Sequence, residues 1–427
     1  MPLTKQQRAE QRKKALAHLK QQGYEEAYVP IDPKNRIDVD VISTGSIVLD
    51  KILGCGGMPR GRIIEIFGPE SVGKTTLGIA CCVEAQREGG FATYVDFEQA
   101  IHLGYAQAMG LDLSDSKFAF FQPNYFEMGA QVIYDYTKLV QSDIIVVDSV
   151  TAMIPKKVYE SGPQDPSKGM GLQARLMSSF LNLISKEIKK TNTVLIFINQ
   201  MRSNIKMSQY DAGPDWTTSG GKSLPYYSTI RVRLKPGKTE YANVMNDVTG
   251  DKEKLPISNF VKAEGFKNKI GFPKRKGEFV IRYGEGLDNA RSIIQVAERQ
   301  KIIKKSGSWY EYKKESEPGH FKRQGVEAVR RYLMEHMDVL GMVMDDVSEK
   351  LATFEVTKIT QDLSDDDLYT EEHVDEEDAT TPIEEDEDVD LETLLADEET
   401  PAPKNTEENT ESDESLLSLD EIDEVIS

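Results

Sequence analysis

The chain has 427 residues and a net charge of −20 at pH 7, from 72 acidic and 52 basic side chains. Its length allows two or three folded units, and its three cysteines, an odd number without metal-ligand spacing, argue against a disulfide framework. No apolar run approaches the roughly 18 residues of a membrane span, and the N-terminus lacks the apolar core of a secretion signal. We therefore expect a cytoplasmic protein with no membrane partner.

The negative charge is concentrated at the C-terminus. Residues 361–427 hold 29 Asp and Glu against the single Lys404, a net charge of −28, which leaves +8 for residues 1–360. A mildly basic body joined to a polyanionic tail suits a nucleic-acid site for which the tail competes. The composition fits equally well a disordered tail that only keeps the protein in solution.

The first 38 residues predict an arm more than an independent domain. Residues 4–22 have a helical pattern of Ala and Leu among Lys and Arg, but the apolar stripe is thin. Residues 37–42 alternate apolar with polar side chains, which predicts a strand. A short helix is then expected before Gly54.

The best-defined motif follows an apolar run at residues 62–67. Residues 68–75 fit the pattern G-x-x-x-x-G-K-[ST], and a helical pattern begins after Lys74. In such a strand, loop and helix, backbone N–H groups surround phosphates, the lysine neutralises their charge and the hydroxyl of Thr75 ligates Mg²⁺. The predicted nucleotide contacts are Gly68, Pro69, Glu70, Ser71, Val72, Gly73, Lys74, Thr75 and Thr76.

Strands and helices alternate after this motif. Continuous apolar runs are typical of strands that are buried on both faces, and the longer segments between them have helical periodicity. The strands are predicted at residues 91–95, 144–148 and 194–198, and the helices at residues 100–109, 128–140 and 171–190. The alternation predicts an α/β fold with a mostly parallel twisted sheet, in which ligands lie at the carboxyl ends of the strands.

Three polar side chains follow the ends of these strands. Asp148 ends its strand as a Walker B carboxylate does and would hold Mg²⁺, or it could cap the next helix. Glu98 follows the strand that ends at Asp96, where it could deprotonate the attacking water or be an acid in the first turn of a helix. Gln200 could hydrogen-bond the γ-phosphate and report its loss, or simply end a strand.

In order and spacing, these motifs resemble the bacterial RecA family. The resemblance also includes residues 43–46, 170–172, 283–286 and 308–310, and it extends over about residues 39–340. It implies a protein that forms helical filaments on single-stranded DNA and catalyses homologous pairing and strand exchange, with DNA-dependent ATP hydrolysis. ATP and Mg²⁺ would be the cofactors, and the partners would be single-stranded DNA, homologous duplex DNA and further copies of the chain.

The resemblance implies roles for particular residues. Lys74 and Glu98 would be catalytic, and Gln200 would link the nucleotide to DNA. Asp148 corresponds to the Walker B aspartate of the family, and Tyr105 to the tyrosine that stacks on adenine. On residue type alone, a tyrosine on a helix is as well explained by core packing.

Two segments correspond to the DNA-binding loops of the family, at residues 160–169 and 201–221. The second is polar, and we expect it to be mobile until the phosphate backbone orders it; a solvated surface loop is the alternative. Arg175, on the preceding helix, would reach a phosphate or form a salt bridge along the helix. The predicted DNA contacts are Arg175, Met201, Arg202, Ser203, Gly220 and Gly221.

Lys267 and Lys269 are two residues apart in a predicted strand and would therefore point to the same face. The family places such a pair across the filament interface, against the γ-phosphate of the neighbouring subunit. This resembles an arginine finger supplied in trans. The alternative is an edge strand whose lysines prevent aggregation.

The predicted domains are an N-terminal helical polymerisation arm (1–38), a RecA-like ATPase core (39–288), a small α/β C-terminal domain (289–360) and a disordered acidic tail (361–427). The aromatic and basic residues around Trp309 suit a gateway for duplex DNA, or a packed core with a solvated rim. The tail would suit a single-strand-binding protein or a loading mediator. Its length indicates a viral or otherwise divergent member, located in the host cytoplasm or nucleoid.

Several features depart from the family pattern. His102 replaces the usual acidic residue just before the adenine tyrosine, and Gln99 stands where a histidine usually follows the glutamate. Pro225 interrupts the helix that commonly follows the second loop, and residues 235–262 form a longer segment than usual. Two other functions share Lys74 and Asp148 with a recombinase. A RecA-fold helicase would unwind DNA in one direction without strand exchange, and an ATP-switched DNA-binding scaffold would form ATP-stabilised filaments without turnover.

Overall fold

The structure is a computed structural model that describes residues 4–24, 39–162, 170–203, 216–245, 252–313 and 316–360. The helices in these ranges are α1 Lys5–Gln21, α2 Ile47–Leu53, α3 Lys74–Arg87, α4 Leu103–Ala108, α5 Phe126–Asp135, α6 Lys156–Ser161, α7 Met170–Thr191, α8 Ser223–Tyr227, α9 Asn289–Arg299, α10 Val326–Glu335 and α11 Met337–Thr360. The strands are β1 Val41–Ile42, β2 Met58–Pro59, β3 Ile63–Gly68, β4 Ala92–Asp96, β5 Phe118–Phe121, β6 Ile144–Asp148, β7 Val194–Ser203, β8 Trp216–Thr218, β9 Ile230–Met245, β10 Lys252–Asn268, β11 Lys276–Arg282, β12 Gly286–Leu287, β13 Ile303–Ser306, β14 Trp309–Tyr312 and β15 Phe321–Gln324.

One large sheet organises the part of the chain before α9. Its strand order is β12-β11-β10-β9-β3-β7-β6-β4-β5, and β8 pairs with the end of β7. From β9 to β5 every neighbouring pair is parallel, whereas β9 to β12 are antiparallel. The prediction of an α/β fold with a mostly parallel sheet is confirmed.

The buried strands have an apolar core on each face. Along β6, Ile144 and Val146 face the core that includes α3, whereas Ile145 and Val147 face the core that includes α5 and α7. Side chains alternate between the two faces of a strand, so a strand covered on both sides needs an unbroken apolar run. Each such side chain contributes about 1.5–3 kcal/mol when it is fully buried.

Several predicted elements differ in length from the observed ones. The helix predicted at residues 100–109 begins only at Leu103, because the ring of His102 accepts the backbone N–H of Tyr105 at 3.0 Å and caps the helix there. Residues 128–140 form the end of α5 and a π-helical turn, Tyr136–Val140. Of the strand predicted at residues 37–42, only Val41–Ile42 is a strand in the described ranges.

The described parts of the segment at residues 235–262, for which the sequence indicates no role, are antiparallel strands. They belong to β9 and β10, which pair from Ile230 and Asn268 outward to Met245 and Lys252; residues 246–251 lie outside the described ranges. Pro225 lies inside α8, which has only five residues. The short helix agrees with the interruption expected from a proline.

The C-terminal unit packs α9, α10 and α11 against the antiparallel sheet β13-β14-β15. Tyr310 and Tyr312 are buried in its core, so core packing accounts for both, whereas Trp309 is 44% exposed. The unit is tied to the ATPase core by Arg330, which pairs with Asp288 at 2.5 Å. Binding of duplex DNA near Trp309 remains a prediction.

The predicted N-terminal helix is present as α1, with a capping box between Thr4 and Gln7. Its role in polymerisation stays a prediction. Residues 163–169 of the first predicted DNA loop and the acidic tail at 361–427 lie outside the described residues. Within the described ranges, no helix is both long and apolar enough to cross a membrane.

Candidate nucleotide site and DNA-binding segment

The phosphate loop joins the buried strand β3 to the start of α3. The helix begins at Lys74, and Gly73 precedes it with a φ of 94°, which L side chains rarely adopt. A Cβ at this position would lie 2.2 Å from Cδ1 of Ile281. A glycine is therefore required in the loop directly before α3.

A cavity of about 470 Å³ opens above this loop. It brings together most of the residues that the sequence predicts for the nucleotide. The lining residues are Glu70, Ser71, Val72, Gly73, Lys74, Thr75, Thr76, Glu98, Tyr105, Asp148, Gln200, Asn259, Ile281 and Tyr283. Gly68 and Pro69 do not line the cavity, but their carbonyl oxygens accept hydrogen bonds from Nζ of Lys74 at 3.2 and 2.6 Å.

Lys74 is buried in the loop. Burial lowers the pKa of its ammonium group, although the carboxylates of Asp148, Glu98 and Glu70 act in the opposite direction. A desolvated cation gains more from an incoming anion than a hydrated one does. The position is therefore suited to phosphate oxygens.

Asp148 ends β6 at the edge of the cavity. Its Oδ2 accepts hydrogen bonds from the hydroxyl of Thr75 at 2.6 Å and from that of Tyr94 at 2.8 Å. Burial raises the pKa of Asp148 to about 6, against these two hydrogen bonds, which lower it. Ser149, and not Asp148, occupies the N-cap position of the next turn, Val150–Ala152, and no side chain caps it, so the alternative of helix capping by Asp148 is not observed.

Glu98 lies between β4 and α4 and therefore is not in the first turn of a helix, which removes that alternative. Its Oε1 accepts hydrogen bonds from Oγ of Ser149 at 2.5 Å and from Nε2 of Gln200 at 3.1 Å. Two residues that are 102 positions apart thus meet beside the phosphate loop. Within the described residues, Oε2 of Glu98 accepts no hydrogen bond and is available to a water molecule.

Three residues of the cavity were missed by sequence reasoning. Asn259, Ile281 and Tyr283 come from β10, β11 and the turn after β11, and the hydroxyl of Thr239 donates to Oδ1 of Asn259 at 2.7 Å. Tyr283 is 48% exposed, so its ring is accessible from the cavity. The motif at residues 283–286 was the one signal that could have pointed to it.

The second predicted DNA segment is partly regular structure. β7 continues to Ser203, beyond its predicted end, and pairs with β8 through Met201 and Thr218, Arg202 and Thr217, and Ser203 and Trp216. Arg202 is exposed and Met201 is half-buried. The residues between these strands, 204–215, lie outside the described residues.

Gly220 and Gly221 close this segment in backbone conformations that leave little room for a side chain. Both have positive φ, 90° and 72°, and a Cβ at Gly220 would lie 2.8 Å from Val150. A Cβ at Gly221 would lie 3.1 Å from Cβ of Ala174, the neighbour of Arg175. The glycines are needed for close packing, which brings the segment next to Arg175. Among the described residues, Arg175 is exposed and has no ion-pair partner.

The prediction that Lys267 and Lys269 share one strand is wrong. β10 ends at Asn268, after an irregularity in its pairing between Gly265 and Lys267. Nζ of Lys267 donates to the carbonyl oxygen of Tyr226 at 3.2 Å, and Nζ of Lys269 lies 5.7 Å from the centre of the Tyr226 ring. Both ammonium groups thus lie near Tyr226, and neither lines the cavity of its own chain.

A buried polar cluster behind the site was also missed. The carboxylate of Glu65 in β3 is fully buried and accepts a hydrogen bond from Nε of Arg231 at 2.5 Å. The guanidinium of Arg231 lies 4.7 Å from the centre of the Phe67 ring, on which Trp216 stacks at 5.2 Å. The cluster joins the strand before the phosphate loop to the strand that closes the DNA segment.

Comparisons with known proteins agree with this geometry. The sequence profile of the RecA N-terminal domain matches residues 10–288, and that of the RecA C-terminal domain matches residues 291–352. The Protein RecA of Mesoplasma florum is 36% identical over 335 residues, which are 78% of this chain and 94% of that protein. The Protein RecA of Methylococcus capsulatus is 40% identical over 319 residues, 74% of this chain and 86% of that protein.

A crystal structure of the RadB recombinase aligns with 58% of this chain and 98% of its own chain, at 22% identity and a TM-score of 0.41. The family assignment rests on the sequence matches and not on this structural likeness. These matches include both domains and most of the length of the relatives. This chain belongs to the RecA family, and it is a recombinase and a DNA-dependent ATPase.

Proposed function

We propose that the chain forms helical filaments on single-stranded DNA, and that ATP binding holds these filaments in the form that pairs with homologous duplex DNA. The observation that carries the proposal is the contact of Glu98 with Gln200 beside the phosphate loop. Gln200 lies in β7, which continues directly into the predicted DNA segment. One strand therefore connects the hydrolytic site with the DNA site.

In this proposal the nucleotide phosphates bind the loop at residues 68–76, and the base stacks on Tyr105. Lys74 neutralises the phosphate charge. Thr75 and Asp148 would hold Mg²⁺, since a hydroxyl and a carboxylate are the oxygen ligands that this ion prefers. When bound, the ion supplies positive charge between the phosphate oxygens. Ionised Asp148 is costly to bury, so a cation beside it is favoured.

Glu98 is the proposed general base. Its Oε2 accepts a proton from water while the water oxygen bonds to the γ-phosphorus and the bond from that phosphorus to the bridging oxygen breaks. The products are ADP and inorganic phosphate. Ser149 and Gln200 both donate to Oε1, which orients the carboxylate without occupying the oxygen that acts as the base.

Replacing Glu98 with glutamine is expected to retain ATP and DNA binding but to lower kcat by about 10²–10⁴-fold, because the variant keeps the shape of the side chain and loses the base. Steady-state ATPase rates and nucleotide affinity measure the effect. Glu335→Gln, an exposed substitution on α10, is the matched control. Normal turnover in Glu98→Gln would remove this residue from the mechanism.

Gly221 packs against Ala174, the neighbour of Arg175, and closely follows the strand that pairs with Arg202, which supports a shared DNA site. We propose that Met201 and Ser203, in the same hairpin, complete it. A simple test compares ATP hydrolysis with and without single-stranded DNA. Stimulation by single-stranded DNA supports the proposal, and equal rates in both conditions contradict it.

The acidic tail is proposed to compete with DNA for the basic body. Removing residues 361–427 takes away a charge of −28, so we expect stronger DNA binding, chiefly to duplex DNA, and a shifted dependence on salt or Mg²⁺. A salt titration of DNA affinity measures the change. An unchanged affinity at every salt concentration would leave the tail only a solubilising role.

The end of the tail is proposed to bind a single-strand-binding protein or a loading mediator. Its apolar residues are spaced roughly as on one helical face among acidic residues, a composition that suits folding on a basic, apolar groove. These residues are Leu416, Leu417, Leu419, Ile422, Val425 and Ile426. A truncation after Glu414 separates this role from the charge effect, because most of the acidic tail remains. Unchanged binding to such partners would refute it.

A further inference from the structure

Asn199 lies at the junction between the nucleotide site and the DNA segment. It is fully buried in β7, directly before Gln200. Its Nδ2 donates to Oε1 of Glu65 at 3.0 Å and to the carbonyl oxygen of Ser219 at 2.9 Å. Its Oδ1 accepts the backbone N–H groups of Gln200 at 2.9 Å and of Ser219 at 3.2 Å.

These four hydrogen bonds use the full capacity of the side-chain amide. The opposite orientation would place Nδ2 against two N–H groups and Oδ1 against two oxygens, so the partners determine which way the amide points. One amide is therefore bonded at once to β3 through Glu65, to the end of the DNA segment through Ser219, and to the backbone of Gln200.

Glu65 gives the amide a rigid support. Its carboxylate has no exposed surface, and Arg231, which is 8% exposed, is its charged partner. A buried carboxylate that leaves its partner becomes an uncompensated charge, so the pair resists movement. The hydrogen bond of Asn199 to Glu65 is consequently held in place, whereas its two hydrogen bonds to Ser219 depend on the position of that serine.

The other two partners lead to the functional residues. Ser219 lies between β8 and Gly220, so a shift of the DNA segment that moves Ser219 breaks two of the four hydrogen bonds of Asn199. The same amide holds the N–H of Gln200, whose side chain donates to Glu98 at 3.1 Å. Movement of the DNA segment thus has a direct physical route to the carboxylate of the hydrolytic site.

We infer that Asn199 is a positioning residue that couples the position of Ser219 to the placement of Gln200 and Glu98. The inference rests on the proposed function, in which this segment binds DNA and Glu98 is the base. DNA that holds Ser219 in place favours the contact of Gln200 with Glu98, and a nucleotide that favours this contact strengthens DNA binding. Linkage requires the two effects to be equal in binding free energy.

The test is Asn199→Asp in the full chain. The variant keeps the shape and the acceptor oxygen, loses the Nδ2 donor and places a carboxylate against Glu65. The affinity for a fluorescein-labelled oligothymidine is measured with and without a slowly hydrolysed ATP analogue, and the affinity for the analogue with and without the oligothymidine. Coupling factors of about 5–150-fold are usual in proteins, and we expect the variant to lose most of the wild-type factor, equally in both directions.

Thr151→Val is the matched control. The hydroxyl of Thr151 lies 3.2 Å from that of Ser219, so this variant removes a contact of the serine side chain and leaves in place the backbone groups of Ser219 that bond Asn199. It should keep the wild-type coupling factor. If Asn199→Asp weakens DNA binding by the same factor with and without the analogue, its role is only structural and the inference is overturned.

Thermal unfolding of each variant is measured in parallel. If Asn199→Asp does not fold, Asn199→Ser takes its place, because it removes the amide without adding charge. Loss of the coupling factor in that variant supports the inference, and equal weakening of DNA binding with and without the analogue overturns it. Wild-type protein without any coupling between analogue and DNA would contradict the proposed function itself. Coupling that is present in the wild type and retained in the variant would contradict only the role of Asn199.

Discussion

Lys74→Ala is expected to abolish DNA-stimulated ATP hydrolysis and every nucleotide-dependent activity of the filament. Nζ of Lys74 is the cation inside the phosphate cavity, and within the described residues no other lysine or arginine lines that cavity. Its loss removes the one side-chain cation that the chain places inside its own cavity, a charge that no described neighbour in the cavity replaces. Hydrolysis rates and nucleotide affinity measure the effect.

The control for this prediction is Lys189→Ala, which removes an exposed lysine near the end of α7. That variant should keep wild-type hydrolysis, and both variants should keep their thermal stability within a small difference. Persisting DNA-stimulated hydrolysis in folded Lys74→Ala would mean that the cavity is not the hydrolytic site.

The second large effect is expected for Lys267→Ala and Lys269→Ala. Each should reduce hydrolysis in assembled filaments, in the range of roughly 10³–10⁵-fold measured for cations supplied in trans. The nucleotide affinity of the free subunit should be nearly unchanged, because neither lysine lines the cavity of its own chain. Both ammonium groups lie near Tyr226, whose side chain is 73% exposed.

Mixed filaments distinguish action in trans from action within one subunit. A Lys267→Ala subunit retains its phosphate loop, and a Lys74→Ala subunit retains both trans lysines. Where the nucleotide bound to a Lys267→Ala subunit faces the lysines of a Lys74→Ala subunit, the interface has both an intact phosphate loop and intact lysines in trans. A mixture should therefore hydrolyse more ATP than the two separate variants together. A mixture no more active than its components would refute the assignment.

Motifs within one short stretch could be predicted well from the sequence. Lys74 follows an apolar strand after the short phosphate loop, and Asp148 ends another apolar strand. Both are therefore placed at the edge of the sheet where ligands bind. Glu98 could be located but not assigned, because its role depends on Gln200, which is distant along the chain. Only the strand order β4-β6-β7 brings the two together.

Contacts between distant segments could not be predicted from sequence patterns. Tyr283 and Asn259 reach the cavity because β9 pairs with β3, a choice made by packing over the whole sheet. Trp216 was not expected to stack on Phe67, since the stacking requires β8 to fold back on β7. These contacts arise from tertiary structure and not from local propensity.

The position of Lys269 could not be predicted from the two-residue period of a strand, because β10 ends at Asn268. Residues two apart along a regular strand point to the same face. Here the strand ends at Asn268, whose side chain accepts hydrogen bonds from the N–H groups of Ile270 and Gly271 at 2.9 and 2.7 Å. The lysine pair still meets at Tyr226, because the chain turns there. The two ammonium groups are therefore close to each other, as expected, but a turn of the chain brings them together and not a shared face of a strand.

Joint-molecule formation tests the central claim most directly. Single-stranded DNA is incubated with the full chain, ATP and Mg²⁺, and then with homologous or unrelated duplex DNA. We predict joint molecules with the homologous duplex only, in the presence of ATP, and none with Lys74→Ala. Unwinding of duplex DNA in one direction without joint molecules, or ATP-stabilised filaments that pair no DNA, would contradict it.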